Sequence, residues 1–288
     1  MEDLNVYPVK IDDSKLGEID KGEILPPIPH LILCVGKVKS GKTILYNSLY
    51  LSDRFFGNDF QVKILLSPSA HQDAVNKHLV EEFDYVFEEI TEELIEKLLE
   101  MIKNDTTDDK FLFVFDDVVG AITQKKTGKT DLLSSLATKY RHIANADGNE
   151  GKLSIFIATQ YFKHLTPILR NNAMAYCIMG HYGKKELDNM SEELSIFGGS
   201  PEAFRELYKK SRKEKHDFLY LNMQKLRAYR NFKELLFDEN DLLEQDPISF
   251  SKEKAGKDKS FLSFSKEKKE KKEKKEKKEK IEIFHKLK

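Results

Sequence analysis

The chain has 288 residues, 40% of them hydrophobic, which is enough for one full α/β core, and its formal net charge of −1 conceals a segment from Lys252 to Lys288 with 16 Lys against 8 acidic residues. Its only two cysteines, Cys34 and Cys177, lie inside apolar runs and its eight histidines show no ligand spacing, so buried core thiols in a reducing compartment are expected rather than disulfides or a metal cluster. No apolar run approaches the roughly 18 residues of a membrane span, and the opening MEDLNVYPVKIDDSK is too acidic and polar for a signal peptide, so a soluble intracellular protein without a membrane partner is expected.

Residues 1–29 are polar and end in Pro26-Pro27-Ile28-Pro29, an extended arm that cannot be helical and delivers the chain into a first strand. Leu31 to Val35 are an apolar run of strand length, residues 36–43 read G-x-x-x-x-G-K-T, and Ile44 to Leu51 have helical spacing. Strand, glycine loop and helix in that order form a P-loop in its required context. Gly36 and Gly41 let backbone N–H groups approach phosphates at a helix N-terminus, so Gly36, Lys37, Val38, Lys39, Ser40, Gly41, Lys42, Thr43 and Ile44 are the candidate nucleotide-binding residues. Lys42 then reaches the β- and γ-phosphates, and the Thr43 hydroxyl ligates Mg²⁺. A second GKT at 128–130 has Thr123 in place of the first glycine and no strand before it, and reads as loop.

Gln61 to Leu66 reads as a second buried strand, Asp84 to Phe87 as a short one, and Thr91 as the cap of a helix reaching Lys103 with Glu92 and Glu93 in its first turn. Phe111 to Phe115 run straight into Asp116-Asp117, as suits a central parallel strand opening on the ligand crevice. In this Walker B pattern Asp116 holds Mg²⁺ through its water shell, and Asp117 orients or deprotonates the attacking water. Thr130 or Asp131 can cap a helix ending at Arg141-His142; Leu153 to Thr159 form another apolar strand, and Gln160 at its end is placed to touch the γ-phosphate or the water. A short helix with Pro167 at its start, a strand from Met174 to Met179, two helices split by Gly198-Gly199, and an edge strand from Asp217 to Met223 follow. Gln224 to Leu243 is mixed and amphipathic.

From about Pro247 the composition changes: SFSKEK occurs at 249–254 and 263–268, and 268–280 is a Lys-Lys-Glu repeat, so residues 247–288 are expected to be a disordered tail without a core. It reads either as a cationic arm for nucleic acid or an acidic partner, or as a solubilising extension.

The ordered set of P-loop, Walker B strand and Gln-ended strand resembles the additional-strand class of P-loop ATPases to which RecA-like motors belong. Arg141-His142, the strand ending in Thr159-Gln160, and Arg170-Asn171 resemble more narrowly the FtsK–HerA superfamily, and within it the poxvirus-type genome-packaging ATPases of large DNA viruses and virophages. The likeness covers roughly Leu31 to Gly180. It implies a RecA-like α/β fold over residues 30–246 with a mostly parallel central sheet flanked by helices, and a Mg²⁺-dependent ATPase that pulls double-stranded DNA into a capsid as a homo-oligomeric ring, a hexamer by analogy. A capsid protein is a further implied partner, and the host cytoplasm, its viral factory or the virion the implied location. It also implies an arginine acting on the neighbouring subunit's nucleotide, Arg141 first and Arg170 second. Cellular relatives usually carry Glu where this chain has Asp117, a shorter arm that the viral branch often uses. Two rivals stand beside this reading: a small-molecule or nucleoside kinase, which needs a P-loop but no Gln-ended strand, and a nucleotide-gated adaptor whose lysine tail binds a partner.

Overall fold

The computed structural model describes residues 20–71, 80–118, 131–143 and 151–240. The second GKT, the loop from 119 to 130 and the lysine-rich tail lie outside them. Among the described residues nine strands are formed: β1 (Leu31–Gly36), β2 (Val62–Leu66), β3 (Tyr85–Phe87), β4 (Phe111–Asp116), β5 (Leu153–Thr159), β6 (Ala175–Met179), β7 (Phe218–Asn222), β8 (Arg227–Arg230) and β9 (Glu234–Asp238). They make one sheet in the order β3-β2-β4-β5-β1-β6-β7-β8-β9. The six strands from β3 to β6 in that order are mutually parallel, and β7, β8 and β9 continue the sheet antiparallel.

Continuous apolar runs become central strands because both of their faces are covered: β1, β4, β5 and β6 are buried at every position. Alternation then divides their side chains between two cores. Leu31, Leu33 and Val35 face helices α3 (Glu92–Asn104), α4 (Leu132–Lys139), α5 (Pro167–Asn172), α6 (Lys184–Glu193) and α7 (Pro201–Lys210). Ile32 and Cys34 face the P-loop helix α2 (Lys42–Leu51) and the turn carrying Phe55, Phe56 and Phe60. Cys34 and Cys177 are both buried and unbridged, as expected. Among the described residues no helix is long and apolar enough to cross a membrane.

Helix starts follow the capping residues. Thr91 accepts from the Leu94 amide, Asp131 from Ser134, Thr166 from Leu169, and Ser200 from Ala203 with Pro201 in the first turn. On α3 the buried residues Ile95, Leu98 and Ile102 recur at helical spacing.

Two expectations are corrected. The strand from Phe218 to Asn222 is not at the edge, because the stretch read as amphipathic supplies β8 and β9 beyond it. The hairpin signal was absent because Leu226 occupies a left-handed position, φ 47°, where Gly or Asn is usual. The Asn222 side chain compensates by accepting from the Gln224 and Lys225 amides, both at 3.0 Å. The described part of the arm contains a helical turn, α1 (Lys21–Ile24), capped by Asp20, and the proline run after it is irregular. Tyr220 and Asn222 donate to the Ile24 carbonyl at 2.9 and 3.0 Å, which docks this part of the arm on β7.

His30 joins the arm to β1 and is fully buried, 3.0 Å from the Tyr50 hydroxyl and with its ring 4.7 Å from that of Phe56. Burial lowers its pKa from 6.5 to about 3. The unfolded chain therefore binds a proton that the folded chain refuses between those values. The contribution is complete above pH 6.5 and is lost as pH falls toward 3, by up to ~1.4 kcal/mol per pH unit. In urea titrations between pH 6 and 4, His30→Phe should show a shallower loss of stability than the native chain; equal slopes would refute the assignment.

Candidate functional site

β1 ends at Gly36, and the chain turns through 37–41 into α2. The Ser40 amide donates to the Lys37 carbonyl at 3.1 Å, and Lys39 and Gly41 take left-handed φ values of 62° and 102°. A Cβ on Gly36 would collide with the Ser40 hydroxyl and lie 3.0 Å from Lys42 Cγ, so close approach explains this glycine, and positive φ explains Gly41. Gly41 is the N-cap of α2 and offers no side-chain acceptor, so the first-turn N–H groups are left to an external anion. Of the other loop residues, Val38 is 66% exposed, Lys37 lies with its ammonium 5.7 Å from the centre of the Tyr182 ring, and Thr43 and Ile44 open α2 behind Lys42.

β5 lies between β1 and β4, which brings Gln160 between the P-loop and the Asp pair. Lys42, only 7% exposed, has its ammonium 3.8 Å from Asp117 Oδ2, and Gln160 Nε2 donates to that same oxygen at 3.1 Å. The Asp117 amide donates to the Ala158 carbonyl, and the residue takes φ 55°, the sharp turn that aims its carboxylate back along the strand ends. Three residues far apart in sequence thus meet.

Asp116 is buried, and its Oδ2 accepts from the Tyr46 hydroxyl at 3.3 Å while Oδ1 has no partner. Burial, then the neighbouring Asp117 charge, raises its pKa to about 6 against the opposing pull of Lys42 and Tyr46. The Thr43 side chain lies beside the Tyr46 hydroxyl. Tyr46 was missed in the sequence, although its position three residues after Thr43 puts both on one helix face. An orphaned carboxylate oxygen beside a threonine hydroxyl fits Mg²⁺, which keeps much of its water and takes one or two carboxylates plus substrate phosphates. Among the described residues no group of three or more His, Cys, Asp or Glu forms a protein-only metal cage.

Arg141 and Arg170 stand elsewhere. The Arg141 carbonyl accepts from Gly151 just before β5, at the end of that strand opposite Gln160, roughly 20 Å away for a seven-residue strand. Both arginines line a cavity of about 380 Å³ with Tyr176, Glu193, Met223 and Gln224. Arg170 is held there by Glu193 and the Leu165 carbonyl, and its guanidinium lies 5.1 Å from the centre of the Phe162 ring. Arg141 is exposed and uses its Nε on the Tyr140 hydroxyl at 3.0 Å. Neither joins the phosphate loop of its own chain.

Asp116 offers a test without any ligand. Folded, it takes its proton near pH 6, and unfolded near 3.8, so the charged form costs stability above pH 6, on the order of 3 kcal/mol at most, and nothing below 3.8. In the absence of nucleotide and divalent cation, Asp116→Asn should melt higher than the native chain at pH 8, with the gap closing as pH falls through that window. A gap that is absent or widens in acid would overturn the assignment.

The profile of the Poxvirus A32 protein family matches residues 23–220. No curated protein matches the chain. Among solved structures, the genome packaging NTPase B204 from Sulfolobus turreted icosahedral virus 2 bound to sulfate is 17% identical with a TM-score of 0.50, over 74% of this chain and 100% of that one. Its AMPPCP complex is 15% identical with the same score of 0.50, over 71% and 98%. B204, the DNA-packaging ATPase from Sulfolobus Turreted Icosahedral Virus, is 14% identical, again at 0.50, over 70% and 96%. At such identities the likeness is one of fold, and it bears out the RecA-like architecture expected from the ordered motifs. The profile runs from α1 into β7 and so takes in every motif of the site, and the chain belongs to the Poxvirus A32 protein family.

Proposed function

We propose that this chain is a Mg²⁺-dependent ATPase that assembles as a ring, a hexamer by analogy, and uses hydrolysis to draw double-stranded DNA into a viral capsid. The observation that carries the hydrolytic part is the meeting of Lys42, Asp117 and Gln160 at the mouth of the P-loop. Family membership and the fold shared with a genome packaging NTPase support the packaging part. The insertion of β5 between the P-loop strand and the Asp strand argues against the kinase alternative, which has no use for a Gln-ended strand there.

In this reading the N–H groups of residues 36–44 cradle the phosphates, and Lys42 sets its positive charge on the β- and γ-oxygens. Thr43 would hold Mg²⁺ directly and Asp116 through the ion's water shell, and the ion would supply charge neutralisation on those oxygens. Asp117 orients the attacking water or takes its proton, and Gln160 fixes the Asp117 carboxylate and senses the γ-phosphate. Arg141 completes the site of the next subunit, because its guanidinium is exposed and less engaged than that of Arg170. Residues 1–29 are an arm, 30–246 the ATPase domain, and 247–288 a low-complexity lysine-rich tail, either a cationic arm or a solubilising extension. A capsid protein is a further partner, and the site of action is the host cytoplasm or the virion.

Hydrolysis measured with and without duplex DNA tests the central claim. The native chain should be stimulated, Lys42→Ala should lose hydrolysis and bind ATP far more weakly, and Asp117→Asn should bind without turnover. A chain ending at Ser251 should keep basal hydrolysis and lose only the salt-sensitive part of its DNA affinity. Indifference to DNA would favour the kinase, and near-silence the adaptor.

The ring has its own test. Hydrolysis per chain should rise with protein concentration, and Arg141→Ala should bind ATP but lose ~10³-fold in turnover. Mixing it with Lys42→Ala should restore activity, because one kind of interface then pairs an intact Lys42 with an intact Arg141. Failure of rescue would remove Arg141 from this role.

A further inference from the structure

The P-loop is braced from a part of the chain that none of its motifs includes. The loop from Ser211 to Asp217 joins α7 to β7, and its end is fastened by one buried carboxylate. Asp217 Oδ2 accepts from the Lys213 and Glu214 amides at 3.1 and 2.7 Å and from Arg230 Nε at 2.8 Å, and its Oδ1 accepts from Asn231 Nδ2 at 3.0 Å. Asn231 in turn accepts from the Phe218 amide at 3.0 Å. At the other end of the loop, Tyr208 from the last turn of α7 and Arg212 both donate to the carbonyl of Gly180, the residue after β6. Gly180 itself lies against the P-loop: a Cβ there would be 3.4 Å from Ser40 Cβ and 3.5 Å from the Lys37 nitrogen.

Between these two anchors stands His216, exposed on its outer side and held at φ 71°, with Nδ1 3.2 Å from the Ser40 carbonyl oxygen. A carbonyl can only accept, so Nδ1 carries the proton. In a planar trans peptide the C=O and the following N–H point to opposite sides. Drawing the Ser40 carbonyl toward His216 therefore turns the Gly41 N–H the other way, in the loop whose N–H groups are left to an anion.

We propose that His216 is a positioning residue for ATP binding: it donates Nδ1–H to the Ser40 carbonyl and so holds the Ser40–Gly41 peptide in the orientation that phosphate requires. The proposal rests on the reading of residues 36–44 as the ATP site. The antiparallel strands β7 to β9 serve as the frame that keeps this donor in place, since both Arg230 and Asn231, which grip Asp217, belong to β8 and the turn after it.

The test separates the donor from the backbone. His216→Gly keeps the left-handed φ accessible but removes the donor; His216→Asn keeps both, because Asn tolerates this conformation and its amide nitrogen can replace Nδ1. By equilibrium binding of a fluorescent ATP analogue and by steady-state hydrolysis, His216→Gly should weaken binding and raise KM roughly three- to tenfold, the worth of one hydrogen bond, with a smaller change in kcat. His216→Asn should return to within about twofold of the native chain, and both should melt with it. Native-like affinity in His216→Gly, or equal weakness in the two folded variants, would overturn the proposal. Should His216→Gly not fold, His216→Leu takes its place as the donorless variant, and affinity equal to that of His216→Asn would overturn it. Lys42→Ala serves as the control: if it too keeps ATP affinity, the reading of the site fails, whereas its loss beside an unaffected His216→Gly sinks only the role of His216.

Discussion

The site depends on the parallel pairing of β5 with both of its neighbours. Cys34 of β1 and Asp116 of β4 each stand opposite Ala158, and Val35 stands opposite Thr159. This register sets the glycine turn, the Asp pair and Gln160 at one end of the sheet. A slip of one residue on the β4–β5 ladder would carry Asp116 to the other face, and one on the β1–β5 ladder would displace the P-loop; either would break the meeting of Lys42, Asp117 and Gln160. The burial of β5 at all seven positions holds that register, so a strand covered on both faces is also the one on which the chemistry is aligned.

Burial at this edge carries a cost that prepares the site for its ligand. Asp116 sits among apolar strands with one oxygen unpartnered, and Lys42 is almost wholly covered while sharing the Asp117 carboxylate with Gln160. Charges held this way are poorly solvated, and a cation beside Asp116 or phosphate beside Lys42 would supply the partner that water cannot. Tyr46 donates to Asp116 from the helix that begins in the P-loop, so one element both follows the glycine turn and holds the carboxylate across from it.

The far half of the sheet has a different part. β7, β8 and β9 contribute none of the motif residues, yet they fasten the arm through Ile24 and carry the polar frame around Asp217. The two arginines occupy the opposite end of the parallel strands, around a cavity away from their own P-loop. The head-to-tail ring of the proposed function would need this separation, with the P-loop at one end of the subunit and the exposed Arg141 at the other.

Much of the fold was legible in the sequence because the central strands are buried on both faces: continuous apolar runs at Leu31, Phe111 and Leu153 admit few other readings, and Thr91, Asp131 and Ser200 mark helix starts by a local hydrogen bond that each residue makes with its own neighbours. The P-loop was legible for the same reason, since its glycines answer to the backbone around them. β8 and β9 were not, because four- and five-residue strands with charged residues at both ends and a left-handed Leu226 before them have no local signature, and only pairing outward from β7 makes them strands. Nor could the order of residues tell that Tyr46 would serve Asp116, that Arg141 would lie a full strand length from Gln160, or that His216 would reach Ser40 across 176 positions. Local backbone chemistry is written in neighbouring residues and can be read from them; contacts between distant segments exist only once the sheet has set its strand order and register, and those were decided by the packing of the whole chain.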